Sequence, residues 1–258
     1  MADSVTYVYA ITRAPRDDIA AGLEGIAGSP VRLVRSGELA ALVSTVDAEE
    51  FGEQGLRRNL EDIHWLETTV RGHNHVVNAA AAAAPVAPLG MATVYFNDDR
   101  VRAVLDERAE VFGEVLAEIT GRTEWGVKAY TDPESAQPER EGGADTAPER
   151  PGAAYLRKLR ERRESKESSR QEAVDQAEQV HATLSELARA SRVHPPQNRE
   201  LAGYRGQMVL NGAYLVDDSA TDEFTSLVGE LAGTHPALRV ELTGPWPPYS
   251  FAVLRDGN

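Results

Sequence analysis

From Asp132 to Gly152 the chain carries four Pro, three Gly, six acidic and two basic residues, and nothing more apolar than alanine. Such a run cannot bury enough apolar surface to offset the entropy of ordering it. It predicts a flexible linker or loop at 132–152. The 258 residues are therefore expected to fold in two parts, an N-terminal α+β domain at 1–131 and, at 153–258, a long helix plus a second α+β domain.

Periodicity sets the expected order within each part. Residues 4 to 11 alternate as a strand, Arg16 to Ile26 reads as a short helix, and Val31 to Val46 reads as two strands turning at Ser36-Gly37. A long helix is expected from about Leu56 to Ala84, with Ile63, Leu66, Val70, Val77, Ala80 and Ala84 on its inner face, stopped by Pro85. A strand at 92–96, a helix over 98–120 and a strand at 124–130 complete a unit that resembles a ferredoxin-like fold with an addition.

Beyond the linker, Ala153 to Ser191 contains no Gly or Pro and reads as one long helix. Between Arg157 and Glu172, seven basic residues and four Glu leave almost no apolar stripe. Ala173, Ala177, Val180, Leu184 and Leu187 then mark a seam at coiled-coil spacing. Mutual i,i+4 pairing (Arg157/Glu161, Arg160/Glu164, Arg163/Glu167) is the expected use of the charged half, and a basic docking strip the alternative. A strand at 207–216, a helix at 221–231 and strands at 238–242 and 250–254 give a C-terminal βαββ, ferredoxin-like order.

Charge and composition narrow the function. With 27 basic against 41 acidic residues the net charge is −14, the wrong sign for attracting nucleic acid or an anionic membrane. The absence of cysteine removes thiol nucleophiles and Cys-based metal sites. The alanine-rich stretch from Ala79 to Phe96 is broken by Pro85, Pro88 and Gly90, so no membrane span is expected. No charged and apolar leader precedes Arg13, which reads as a cytoplasmic protein.

The chemistry-bearing residues form no site by spacing. His64, His73 and His75 lie in one predicted helix, but His73 and His75 point apart and His64 and His75 are roughly 16 Å apart along the axis, so no metal site is expected. There is no Gly-x-Ser-x-Gly elbow and no phosphate-binding loop, so neither a catalytic residue nor a cofactor is assigned. His181, His194 and His235 are isolated in sequence. The most unusual string is Gly244-Pro245-Trp246-Pro247-Pro248-Tyr249-Ser250-Phe251. Its prolines stiffen the backbone around Trp246 and Tyr249. Closure of the end of the C-terminal core is the expected role of the two rings. The alternative is a partner contact formed by Trp246, Pro247, Pro248 and Tyr249.

That string resembles the closing motif of the gas vesicle protein F/L family (GvpF/GvpL). The resemblance extends to Tyr7-Val8-Tyr9-Ala10-Ile11, to Arg71-x-His73-Asn74-x-Val76-Val77 leading into Pro85-Val86-x-Pro88-Leu89, and to Trp125-Gly126-Val127-Lys128-Ala129-Tyr130. Pro151-Gly152-Ala153-Ala154-Tyr155-Leu156 adds another match. Where many members carry Arg-Phe-Gly-Thr, this chain has Gly90-Met91-Ala92-Thr93, as expected of an L-like or divergent paralogue. The resemblance implies a non-enzymatic cytoplasmic protein of gas vesicle nucleation or assembly. Its implied partners are the shell protein GvpA and other accessory proteins, with no small-molecule substrate. A minor structural component of the finished vesicle is the rival within the pathway, and a ligand-binding or enzymatic ferredoxin-like protein the rival outside it.

Overall fold

The computed structural model describes residues 3–13, 17–131, 151–196 and 206–252. The expected linker at 132–152 lies outside them except for its last two residues, which open a helix. The chain forms two compact units, Met1–Glu124 with Pro245–Asn258, and Trp125–Gly244.

In the first unit, β1 (Ser4–Arg13), β2 (Arg32–Ser36), β3 (Leu39–Asp47), β4 (Val86–Pro88) and β5 (Val94–Tyr95) form one sheet. Its order is β2-β3-β1-β4, with β5 also on β1. β2 and β3 make a tight hairpin in which Ser36 faces Leu39. β1 runs antiparallel to β3 with a bulge at Tyr9, between the Val8 and Ala10 pairings. Residues 6 to 12 of β1 and 39 to 44 of β3 are buried without alternation, which requires cover on both faces of the sheet. That burial explains why the strands are almost continuously apolar.

The helices of this unit are more broken than their periodicity predicts. Instead of a helix at 16–26 there are two 3₁₀ turns, Asp17–Ala20 and Ile26–Gly28. Gly22, at φ 72°, takes a left-handed conformation inside that span that no α-helix accommodates. The expected helix over 56–84 is divided into α2 (Glu53–Asn59) and α3 (Ile63–Ala83), preceded by the single turn α1 (Ala48–Phe51). Asp62 starts α3, its carboxylate accepting from the His64 and Trp65 N–H groups. The buried face of α3 is Thr69, His73, Val76, Val77 and Ala80, whereas Ile63 is 81% exposed and Val70 is also exposed. The expected helix over 98–120 is two helices, α4 (Asp98–Glu107) and α5 (Ala109–Ile119), parted at Arg108. β4, ending in Pro88 at the sheet margin, was not expected as a strand.

The second unit follows the order β6 (Arg122–Thr131), α6 (Pro151–Leu187), β7 (Ala190–Val193), β8 (Met208–Asp217), α7 (Thr221–Thr234) and β9 (Leu238–Trp246). Its sheet runs β7-β8-β6-β9. The strand at 124–130, read as closing the first domain, thus pairs in the second sheet. α6 ends at Leu187 rather than near Ser191, because Ala190–Val193 pair with Gly212–Leu215 of β8. Ala173, Ala177, Val180 and Leu184 are buried against Val127, Tyr214, Phe224 and Val228, so the coiled-coil-spaced seam is the face of α6 that meets this core. No strand forms at 250–252: Tyr249–Phe251 is a turn in which the Phe251 and Ala252 N–H groups donate to the Pro248 carbonyl. Residues 253 and 254 of that expected strand lie outside the described residues.

Numbering strands by appearance within each unit, the main path of both sheets runs 2-3-1-4, and the first sheet adds β5 beside β1. The fold class is α+β, built on two sheets. Among the described residues no helix is long and apolar enough to cross a membrane.

Candidate functional site

The centre of the first unit is an aromatic cluster assembled from segments far apart in the chain. β1 delivers Tyr7 and Tyr9, α3 delivers His73, and the C-terminal turn delivers Tyr249. The Tyr7 ring lies tilted at 4.9 Å from Tyr9 and edge-on at 5.8 Å from His73, and Tyr249 lies 6.1 Å from His73. Phe51 meets Tyr7 edge-on at 5.9 Å and Trp65 at 5.4 Å. Such tilted and edge contacts are the favoured arrangements for aromatic rings.

Each hydroxyl in the cluster has a defined partner. The Tyr7 hydroxyl accepts from the Ala92 N–H at 2.9 Å and lies 3.0 Å from His73 Nδ1. Donation from Tyr7 to Nδ1 satisfies both groups and puts the ring proton on Nε2. Nε2 is buried without a hydrogen-bond partner. The Tyr9 hydroxyl accepts from the Ile26 N–H and donates to Ser44 Oγ, each at 3.0 Å. Gly25 is needed beside it: a Cβ there would fall 2.0 Å from the Tyr9 oxygen. The Tyr249 hydroxyl donates to Asn74 Oδ1 at 2.9 Å. Below that turn, the buried Glu124 carboxylate accepts from the Ser250 N–H and Oγ–H, both at 2.7 Å.

Burial controls the protonation of these groups. His73, 2% exposed, is pushed down to about 4 by loss of solvation, opposed by the Leu89 backbone. The same loss of solvation raises Tyr7, Tyr9 and Tyr249 above the ordinary tyrosine value. At neutral pH the cluster is uncharged. It ties β1, α3, the loop at 89–93 and the C-terminal turn together and offers no activated nucleophile or base. The second unit has a related pair that sequence position alone did not suggest, with His181 Nδ1 of α6 2.8 Å from the Tyr214 hydroxyl of β8.

The four residues singled out for partner contact do not behave alike. Trp246 ends β9 and is 49% exposed, so it does not plug a core. Pro247 and Pro248 are buried, and Tyr249 is half-buried against the first unit's core. His73 is buried, while His64 and His75 are exposed, and no group of three metal-ligating side chains occurs among the described residues. A cleft of about 280 Å³ beside Phe96 is lined by Thr6, Arg32 and Asp98, which bond to one another: Arg32 Nη2 and Thr6 Oγ1 each donate to Asp98 at 2.9 Å.

The residues of this cluster lie in the segments that carried the family resemblance, and a match at family level decides the question. The sequence model described as "Gas vesicle synthesis protein GvpL/GvpF" matches residues 5–253. The chain belongs to the GvpL/GvpF family. It is 42% identical to gas vesicle protein L of Streptomyces sp. (strain CB03234), over 98% of this chain and 95% of that one. Identity to gas vesicle protein F of the same strain is 30%, over 95% and 98%. Crystal structures share the fold. GvpF from Anabaena sp. PCC7120 aligns with a TM-score of 0.69 at 21% identity, over 99% of this chain and 98% of that one. GvpF from Microcystis aeruginosa gives 0.63 at 18% identity, over 97% and 99%.

Within this GvpL/GvpF chain, three motif segments distant in sequence meet around His73, and a fourth, Pro85 to Leu89, lies along β1. Thr12 Oγ1 donates to the Pro85 carbonyl and the Leu89 N–H to the Tyr9 carbonyl, each at 2.9 Å. The motifs thus describe a packed junction, with Trp246 as its exposed neighbour in the chain.

Proposed function

We propose that this protein is an L-type accessory factor of gas vesicle formation, which acts in the cytoplasm in nucleation or assembly by binding the shell protein GvpA and other accessory proteins. Membership of the GvpL/GvpF family carries the reading, and the higher identity to a protein L than to a protein F from one strain supports the L-type assignment. The role is non-catalytic: the buried histidine and tyrosines serve as structure, and partner contact falls to the surface. The shared strand order supports reading both units as variants of the ferredoxin-like fold, the first with 3₁₀ turns in place of its first helix. The two compact units support a two-domain reading in which the C-terminal segment from Pro245 belongs with the N-terminal part.

Trp246 is the contact residue in this account. It stands half exposed immediately before two buried prolines and a turn fastened through Tyr249 to Asn74 and through Ser250 to Glu124. A large ring on so stiff a support loses little freedom when covered by a partner. Co-expression with GvpA tests the function. An assembly factor co-purifies with GvpA from lysate and is lost from washed, intact vesicles. Retention in washed vesicles would instead assign it to the finished structure, and failure to capture GvpA would remove the proposed partner.

A further inference from the structure

The buried seam of α6, Ala173-Ala177-Val180-Leu184, continues toward the N-terminus at the same spacing as Tyr155, Leu159, Arg162, Lys166 and Arg170. All five of these are exposed, with Tyr155 at 68% and Leu159 at 46%. At 100° per residue Arg162, Lys166 and Arg170 lie within about 80° of one another, with Glu161 and Glu164 on the opposite side and Glu167 at the flank, about 60° from Arg170. The face is therefore a strip about 22 Å long, with two apolar side chains followed by three cations and no anion.

The acidic counterpart is in the same chain. Residues 157–172 hold seven basic and four acidic side chains, a surplus of three, so a chain of net charge −14 carries −17 elsewhere. α7 contains Asp222, Glu223 and Glu230 and no Lys or Arg. All three acids are exposed, on the side away from the buried Phe224, Val228 and Leu231. Asp222 and Glu230 are eight residues apart, as are Arg162 and Arg170, about 12 Å on each helix.

We propose that the exposed half of α6 docks on α7 of a second copy of this chain, and that the contact is reciprocal, giving a two-fold dimer. Reciprocity lets each copy use both its basic strip and its acidic helix, closing the assembly. Contacts of this kind are steered and held by charge and weaken as salt is added. Sedimentation velocity of the full chain gives the test. A dimer at about 50 mM salt, with dissociation strengthened at least about tenfold by about 500 mM, is expected. Arg162→Glu/Lys166→Glu/Arg170→Glu yields folded monomer at both salts, as does Asp222→Lys/Glu223→Lys/Glu230→Lys, with circular dichroism confirming the fold. Combining the two sets restores the dimer, because the charges are exchanged rather than removed. A monomer at low salt, a dimer indifferent to salt and to either reversal, or a combined variant that is folded yet monomeric would each overturn the proposal.

Discussion

Ala92 occupies a position that suits glycine. Its φ is 64°, in the left-handed region that costs an L-residue roughly 1–2 kcal/mol, and its N–H is held by the Tyr7 hydroxyl. Ala92→Gly is therefore expected to stabilise the protein by about 0.5–1 kcal/mol, after allowing for glycine's larger unfolded entropy, as read from urea denaturation. His73 yields a prediction of opposite sign in acid. Its folded value of about 4 lies below the unfolded value near 6.5, so the unfolded chain binds the proton first. Stability is full above about pH 6.5 and falls as pH drops toward 4, by about 3 kcal/mol in all. His73→Gln removes this contribution, and the wild-type-minus-variant difference in unfolding free energy should shrink across that window. A difference that stays flat would show that the ring is solvated. None of this coupling was legible in sequence, where Tyr7 and His73 are 66 residues apart and Asn74 and Tyr249 are 175 apart.

Elements are legible in the sequence where one face alone is apolar and illegible where several are. The seam on α6 was visible because charged residues fill the rest of that helix. Leu184→Ala, at 0% exposure, should cost about 2–5 kcal/mol, while Tyr155→Ala and Leu159→Ala should stay within about 0.5 kcal/mol for the monomer. Comparable losses from all three substitutions would mean that the N-terminal half is packed. The inner face of α3 was misjudged. Thr69 and His73 are polar yet buried, Ile63 is apolar yet exposed, and the run Ala79–Ala84 offers no contrast between sides. The short strand β7 was hidden inside an uninterrupted helical pattern, since only its pairing with β8 makes it a strand.

For the whole molecule, periodicity predicted an α+β chain, and the structure has two sheets whose main paths share a strand order. Sheet membership was not readable. β6 and β9 meet across more than 100 residues of chain, as between Thr243 and Gly126, and local periodicity carries no information about which sheet a strand joins. The stiffness of the Trp246–Tyr249 segment was legible from its prolines, but not the difference between its two rings. Trp246 is half exposed and Tyr249 is bonded to Asn74.

That difference permits the most direct test of the account, in which melting temperature and GvpA capture are measured side by side for Trp246→Ala and Tyr249→Phe. Trp246→Ala is expected to melt within a few degrees of the wild type while GvpA capture weakens by about 2 kcal/mol or more, some thirtyfold. Tyr249→Phe, which loses its bond to Asn74, should melt lower and capture GvpA normally once folded. A Trp246→Ala protein that captures GvpA as tightly as the wild type would contradict the claim that this residue is the partner contact.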